Sequence, residues 1–395
     1  ENLDKTLIER YARQILIPGF GRSGQMKVSN AKVLIIGCGG IGAPAAYYLA
    51  AAGIGRLGLV DGDRVEESNL HRQIIHSTTK IGMNKAVSAK IALQQLNPYV
   101  DIRTYQEHLV PSNAAKIIED YDIVLDASDN ALARYLVNDI CVLKKKPLVS
   151  GCALRWDGQL TVFGVGDGPC YRCMYPECPK PSMMMSCGDG GVVGMVPGLI
   201  GILEAVEALK IALGDQEILN KRLLVYDGKT SGCKVVKIRG KQSNCAVCGT
   251  DPKIKAVEDY DYYAFTGISG CPTVSSEEIP KENNIDWKQF VDILRDDAFQ
   301  SDSVLIDVRP KEQFDLVNVD KAINIPLRDL TSKKKEELES QFGDKKSIYV
   351  MCRRGVTSKA GIAHFLANNF KNVYNVEGGI TKYRISIDPN IPSYQ

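Results

Sequence analysis

Two cysteines stand apart from the rest by their surroundings. Cys352 follows an apolar run, Ile348-Tyr349-Val350-Met351, and opens Cys352-Arg353-Arg354-Gly355-Val356-Thr357-Ser358. The order is strand, cysteine, short loop, then a helix expected to reach about Asn368. The N–H groups of such a loop curl around the sulfur, and the helix start adds positive potential. Arg353 and Arg354 add more, so the setting favours a thiolate and an extra anionic sulfur. Cysteine phosphatases use comparable geometry but place arginine six positions after the cysteine. Here that position is Ser358, which favours sulfur transfer over phosphate chemistry. The second cysteine, Cys187, sits in Met183-Met184-Met185-Ser186-Cys187-Gly188-Asp189-Gly190-Gly191, ahead of a helix expected over 199–213. One cysteine on such a loop suits covalent transfer of an acyl group. Taken alone, the residue reads equally well as a buried structural thiol.

Two further pairs have metal-ligand spacing: Cys170-x-x-Cys173 and Cys245-x-x-Cys248. Each can clamp one side of a tetrahedral ion, with no histidine or open-site ligand beside it, so a structural zinc is expected. Cys141 and Cys152 lack partner spacing and read as core residues. Cys271 is assigned no role.

The stretch that must organise the first half is Val33 to Asp63. A buried strand, Val33 to Ile36, runs into Gly37, Gly39, Gly40 and Gly42, then an Ala-rich helix, Ala43 to Ala52. A second strand, Leu57 to Val60, ends at Asp61. This is a βαβ unit with a G-x-G-x-x-G turn, which brings backbone and a helix start to a phosphate. A dinucleotide oxidoreductase is the first candidate. Further residues redirect it: Ser68-Asn69-Leu70-His71-Arg72, Lys85 in a helix over 84–96, and Asp129-Asn130 after a strand over 122–125. Strand-end carboxylates in a doubly wound sheet face one crevice, so Asp61 and Asp129 are expected to meet. A dehydrogenase needs one ribose acid and has little use for Arg72, Lys85 and a second carboxylate. ATP with Mg2+ uses all of them.

The 395 residues allow two domains, with 44% apolar and 24% charged residues and a net charge of +2. That balance gives no case for nucleic-acid or membrane binding. No apolar run is long enough to span a bilayer, and the first residues lack signal-peptide character. Twelve cysteines in such a chain point to a reducing, cytoplasmic setting. Residues 1–250 read as the nucleotide domain, 251–284 as a linker packing at least partly on it, and 285–395 as a second α/β domain. Residues 4–30 read as a helix and a loop, on which Arg10 and Arg13 alone suggest a solvated face. Strands are expected over 148–151, 160–164 and 304–309, and helices over 287–294 and 333–342.

Taken together, R-Y-x-R-Q at 10–14, GCGGIG at 37–42, VDGD at 60–63, SNLHRQ at 68–73, Lys85, SDN at 128–130 and the cysteine pairs resemble the ubiquitin-activating-enzyme-like adenylyltransferases. LIDVR at 305–309, AINIP at 322–326, Cys352-x-x-Gly355 and EGG at 377–379 resemble a rhodanese domain. The fusion resembles the eukaryotic activators of a ubiquitin-related modifier that also serve as molybdopterin-synthase sulfurylases. The resemblance implies a Rossmann-like ThiF/MoeB-type domain with structural zinc, plus a C-terminal α/β rhodanese domain. It implies that Gly40, Asp61, Ser68, Asn69, Leu70, His71, Arg72, Lys85, Asp129 and Asn130 bind ATP and Mg2+. Asp61 would hold the ribose and Asp129 the metal. Arg13 would reach the triphosphate of a neighbouring subunit, making a homodimer. Cys170, Cys173, Cys245 and Cys248 would bind zinc, Cys187 would form a thioester or acyl disulfide, and Cys352 a persulfide. The substrate would be a ubiquitin-like sulfur carrier and the donor thiosulfate or a cysteine desulfurase. The products would serve tRNA wobble-uridine thiolation, molybdopterin synthesis or protein conjugation. Two positions depart from the family: the run Met183 to Met185 before Cys187, and Tyr383 where rhodaneses often carry tryptophan.

Overall fold

The computed structural model divides the chain into two compact units, meeting in sequence between Thr266 and Gly267. It describes residues 4–179, 190–266, 279–296 and 298–392. Among these, no helix is long and apolar enough to cross a membrane.

The first unit is built on one eight-stranded sheet. Its strands are β1 Lys32–Ile36, β2 Arg56–Val60, β3 Asp101–Tyr105, β4 Ile123–Asp126, β5 Leu148–Leu154, β6 Asp157–Phe163, β7 Arg222–Asp227 and β8 Gly232–Lys237. The order is β3-β2-β1-β4-β5-β6-β7-β8. The first five are parallel and the remaining pairings antiparallel. Strand residues point alternately to opposite faces. Val33 and Ile35 therefore enter a core with helices Gly42–Ala52, Lys85–Leu96 and Met195–Leu213. Leu34 and Ile36 enter another, with helices Pro111–Glu119 and Ala131–Leu143. The chain reverses direction of travel between β1 and β4, which is where open α/β sheets bind ligands.

Several elements differ from the expectation. Residues 4–30 form two helices, Lys5–Ile15 and Gly21–Asn30, rather than a helix and a loop. The second helix is poor in strong helix formers, and tertiary contacts secure it. Buried Gln25 accepts from Gln14 and donates to Ala52 O at 3.0 Å, and Val28 is buried. Strands β3, β7 and β8 carry no clear alternation in sequence. Residues 251–266, the start of the linker expected to pack at least partly on the first domain, lie in the first unit, with Val257 and Tyr262 buried. The Tyr262 hydroxyl donates to Asp139 at 2.8 Å. The same carboxylate receives hydrogen bonds from Arg172 Nε and Nη2, both at 2.8 Å. This fixes the short helix Tyr171–Met174, in which Cys173 lies.

The second unit has five parallel strands: β9 Asn284–Ile285, β10 Ser303–Asp307, β11 Ala322–Asn324, β12 Ser347–Met351 and β13 Val373–Val376. Their order is β11-β10-β12-β13-β9, which puts β12 in the centre. Tyr349 and Met351 face one core, Ile348 and Val350 the other. The charged helix begins at the last lysine of its run rather than the first, as Lys335–Phe342, and buries Leu338 and Phe342.

Candidate active site

The glycine turn leaves β1 at the sheet's switch point. A Cβ on Gly42 would lie 1.9 Å from Gly37 O, so only glycine lets the helix start so close to the strand. Gly37 adopts φ +95° against Ala127 at the end of β4. Gly40 and Gly39 sit beside Arg72 and Gln73, so the turn and the Ser68–Gln73 segment share one wall.

Asp61 ends β2 next to the turn. One carboxylate oxygen accepts from Cys38 N–H at 2.8 Å and the other from Asp63 N–H at 2.9 Å. Burial pushes its carboxyl up; Lys85 and these two amides pull the other way. Buried Lys85, at the start of its helix, donates to Asp63 at 2.9 Å. Asn84 caps that helix and donates to the carbonyls of Asp61 and Asp63. Arg72 donates to Asn69 Oδ1 at 2.8 Å and to Ser68 O at 3.3 Å, and His71 bonds Ser68 O. Leu70 is half-buried in the same turn. Across the switch point Asp129 is exposed, with no described hydrogen bond or ion pair, while Asn130 caps helix Ala131–Leu143 through Ala133 N–H. An unclaimed carboxylate suits a hydrated Mg2+, which takes one or two carboxylates and keeps its waters. Arg13 is exposed in the last turn of its helix, and no described bond joins it to these residues.

Three supports of this site carry no sequence signal. His76 bridges Ser88 Oγ at 2.9 Å and Cys38 O at 3.0 Å, and burial lowers it to about 4, so it is a neutral strut. Arg134 donates to Ser128 O and Gly151 O, tying the ends of β4 and β5. Glu204 lies fully buried on helix Met195–Leu213 against Gly151, and neither oxygen has a well-formed hydrogen bond. Burial, then nearby Asp126, raises its carboxyl well above the ordinary range.

The four paired cysteines converge. The sulfurs of Cys170, Cys173, Cys245 and Cys248 lie within 4.8 Å of one another. Cys170 to Cys245 is 3.5 Å and Cys173 to Cys248 is 3.4 Å. Four thiolates at the roughly 2.3 Å Zn–S distance of a tetrahedral site stand about 3.8 Å apart, so the set is compatible with zinc. Cys187 lies outside the described residues.

In the second unit Cys352 follows β12 and is buried. The EGG glycines explain how its loop is shaped. A Cβ on Gly379 would lie 2.0 Å from Cys352 O. Its absence lets helix Gly379–Ser386 dock end-on, with Ile380 and Thr381 N–H donating to Cys352 O and Arg353 O, both at 3.0 Å. The N–H groups of Arg354 to Thr357 donate to no protein acceptor among the described residues, which leaves them for an anion. Asp307 and Arg309 of the LIDVR motif form a buried bidentate pair, and Arg309 also holds Val317 O at 2.7 Å. Tyr383 packs on Trp287 with ring centroids 4.6 Å apart. Ser358, notable in sequence only for not being arginine, lies 3.3 Å from Cys352 Sγ.

A glycine-turn nucleotide cleft on one unit and a loop-cradled cysteine on the other define a two-domain transferase. The ThiF family model matches residues 11–247 and the rhodanese-like domain model residues 287–386. Relatives described as adenylyltransferase and sulfurtransferase MOCS3 include one from Drosophila yakuba, 44% identical over 98% of this chain and 85% of its own length. Another, from Dictyostelium discoideum, is 41% identical over 98% of this chain and 97% of its own. Among solved structures, Escherichia coli MccB with MccA-N7isoASN matches with TM-score 0.55 at 24% identity, over 63% of this chain and 76% of that one, a likeness of fold. The chain belongs to the ThiF family, joined to a rhodanese-like domain as in the MOCS3 adenylyltransferase and sulfurtransferase family. It is an adenylyltransferase and sulfurtransferase, and the ThiF adenylation fold supports the use of ATP.

Proposed function

We propose that the protein adenylates the C-terminal glycine carboxylate of a small ubiquitin-fold sulfur carrier and converts it to a thiocarboxylate. The observation that carries this is one chain holding both a phosphate-binding turn ringed by Arg72, Lys85 and Asp129 and a cysteine loop with unclaimed amides. The carrier carboxylate attacks the α-phosphorus of ATP and pyrophosphate leaves, while Arg72 and Lys85 offset the developing charge. Gly40, Asp61, the Ser68 to Arg72 segment and Asn130 complete the nucleotide site, with Asp61 on the ribose. Mg2+ held by Asp129 would neutralise phosphate charge when bound. Cys187 takes the acyl group as a thioester or acyl disulfide, and sulfur comes from a persulfide on Cys352. Zinc held by the four clustered cysteines would cross-link two distant segments.

The active form is a homodimer in which Arg13 serves the partner's nucleotide. Exposed Leu16, Ile17, Tyr48, Ile74 and Tyr99, and a groove of about 390 Å³ lined by Tyr47, Tyr48, Ile74 and Leu96, support an apolar interface. The sulfur donor is thiosulfate or a cysteine desulfurase, and the product supplies tRNA wobble-uridine thiolation and molybdopterin synthesis.

The test is a Cys352→Ala protein incubated with ATP, Mg2+, thiosulfate and a candidate carrier. Carrier-dependent pyrophosphate exchange should persist, and mass spectrometry should find no carrier in which sulfur has replaced oxygen. Thiocarboxylate from this variant, or lost exchange, refutes the division of labour.

A further inference from the structure

Beneath the Cys352 loop lies a buried chain of neutral polar groups that the established activities leave without a role. Ser358 Oγ is 3.3 Å from Cys352 Sγ and 2.6 Å from Asn375 Oδ1. Asn375 Nδ2 lies 3.2 Å from Gly355 O and 2.9 Å from Asn284 Oδ1. Ser358 and Asn375 are 0% and 1% exposed, so water does not complete their bonding. Three loops and strands therefore meet in this chain: the Cys352 loop, β13 and β9.

The proton inventory fixes its direction. Gly355 O can only accept, so the amide nitrogen of Asn375 faces it and the amide oxygen faces Ser358. Two oxygens 2.6 Å apart share a hydrogen, and only the serine has one to give. The Ser358 proton is thus committed to Asn375, and a serine lone pair faces the sulfur. In this arrangement Cys352 keeps its proton as a neutral thiol, and the hydroxyl stands 3.3 Å from Sγ, the group placed to donate to it. A thiolate there needs the reverse: the hydroxyl must turn from Asn375 to Sγ.

Both halves of sulfur transfer pass through that thiolate. In loading, Sγ as thiolate attacks the outer sulfur of thiosulfate, the S–S bond breaks and sulfite leaves with the electron pair. In discharge to cyanide, cyanide attacks the outer persulfide sulfur, that S–S bond breaks and its electron pair stays on Sγ. We propose that Ser358 is a positioning residue for Cys352, its hydroxyl turning between Asn375 Oδ1 when the sulfur is a thiol and Sγ when the sulfur is a thiolate. Asn375, oriented by Gly355 and Asn284, sets the resting direction. This rests on Cys352 being the sulfur-carrying residue.

The two partners then act on the sulfur with opposite sign. A thiol is a weak donor, whereas a hydroxyl bond to an anion is charge-assisted. Losing the Ser358 hydroxyl therefore penalises the thiolate more than the thiol. Losing the Asn375 oxygen frees the hydroxyl for the thiolate. The charged groups on the elements packed around the loop are Arg353, Arg354 and Lys359, Glu377 after β13, and the Asp307–Arg309 and Asp286–Lys382 pairs. All of them are the same in each variant, so their fields cancel in the comparison.

The experiment uses the full chain, thiosulfate as donor and cyanide as acceptor, across pH, with iodoacetamide labelling of the Cys352 peptide followed by mass in parallel. Ser358→Ala should move the acid limb of both profiles to higher pH and slow discharge about tenfold or more, the scale of one charge-assisted hydrogen bond. Ser358→Thr, which keeps the hydroxyl, should restore the limb. Asn375→Leu should move it to lower pH. An unmoved limb in Ser358→Ala, or one that moves the same way as in Asn375→Leu, overturns the inference. If Asn375→Leu does not fold, the contrast of Ala with Thr at 358 decides alone. A Cys352→Ala control that still forms thiocyanate overturns the sulfur reading beneath it, and the inference with it. Thiocyanate lost in that control, with an unmoved Ser358→Ala profile, overturns the inference only.

Discussion

The two sites solve one problem, holding an anion, with opposite materials. The proposed nucleotide site is dispersed: Gly37, Asp61, Arg72, Lys85 and Asp129 come from the ends of three strands and the segments between them, and charge pairs such as Lys85 with Asp63 hold them. The sulfur site is contiguous: seven residues from Cys352 to Ser358, shaped by glycines and a neutral hydrogen-bond chain. A triphosphate is long and highly charged, so its cradle needs several elements and cations. One sulfur is small, and a single turn of backbone amides surrounds it. Breakage should therefore be separable, and it should differ in kind between the two.

The largest effects come from filling the glycine contacts. Gly42→Val drives a side chain into Gly37 O, should cost at least ~3 kcal/mol in the first unit and should abolish pyrophosphate exchange. Thiosulfate-to-cyanide turnover should stay within about twofold, since each unit has a core of its own. Gly379→Val should do the reverse. Both activities are read on the same preparations, and joint loss in either variant would break the separation. Next in size, stripping metal with a chelator, or Cys248→Ser, should lower the melting temperature of the first unit and leave the rhodanese transition in place, as calorimetry would show. Lys85→Ala should reduce exchange on the order of a hundredfold, with little change in melting, because its partner Asp63 is exposed and regains water.

A smaller effect depends on pH. Glu204 keeps a proton in the folded state that the unfolded chain releases above the ordinary carboxylate range. The folded state then binds more protons, so stability falls as pH rises from that range through the raised folded value. Glu204→Gln should remove this slope, and its advantage in melting temperature should grow from acid to neutral pH. A constant difference would show that the carboxyl is not held protonated. Smallest, Tyr383→Trp keeps an aromatic ring packed against Trp287 and should change stability by less than about 1 kcal/mol.

Much of both sites was legible in the chain because local geometry demands particular residues. A strand, a glycine turn and an Ala-rich helix announced the first βαβ unit, and Ile348 to Ser358 announced the strand, loop and helix around Cys352. Paired cysteines announced their own convergence, since two-residue spacing puts two sulfurs on one side of an ion. What stayed hidden is held by partners remote in sequence. His76 bonds Cys38, Arg134 bonds Gly151, and Asn375 bonds Asn284 across 91 positions. The helix Gly21–Asn30 was hidden too, because its sequence is a poor helix former until Gln25 finds Ala52.

The sequence by itself determined the candidate chemistry: which residues are of the type and spacing to hold phosphate, zinc and sulfur. Side-chain type and spacing suffice for that, because turns, clamps and loops are local. Only the tertiary structure decided how those groups are held in their protonation and orientation. It placed Glu204 beneath the adenylation sheet without a well-formed bond. It also turned Ser358 from a position lacking arginine into the hydroxyl beside Cys352 Sγ. Burial and a fixed direction of hydrogen bonding arise only when distant strands pack, and no spacing along the chain encodes them.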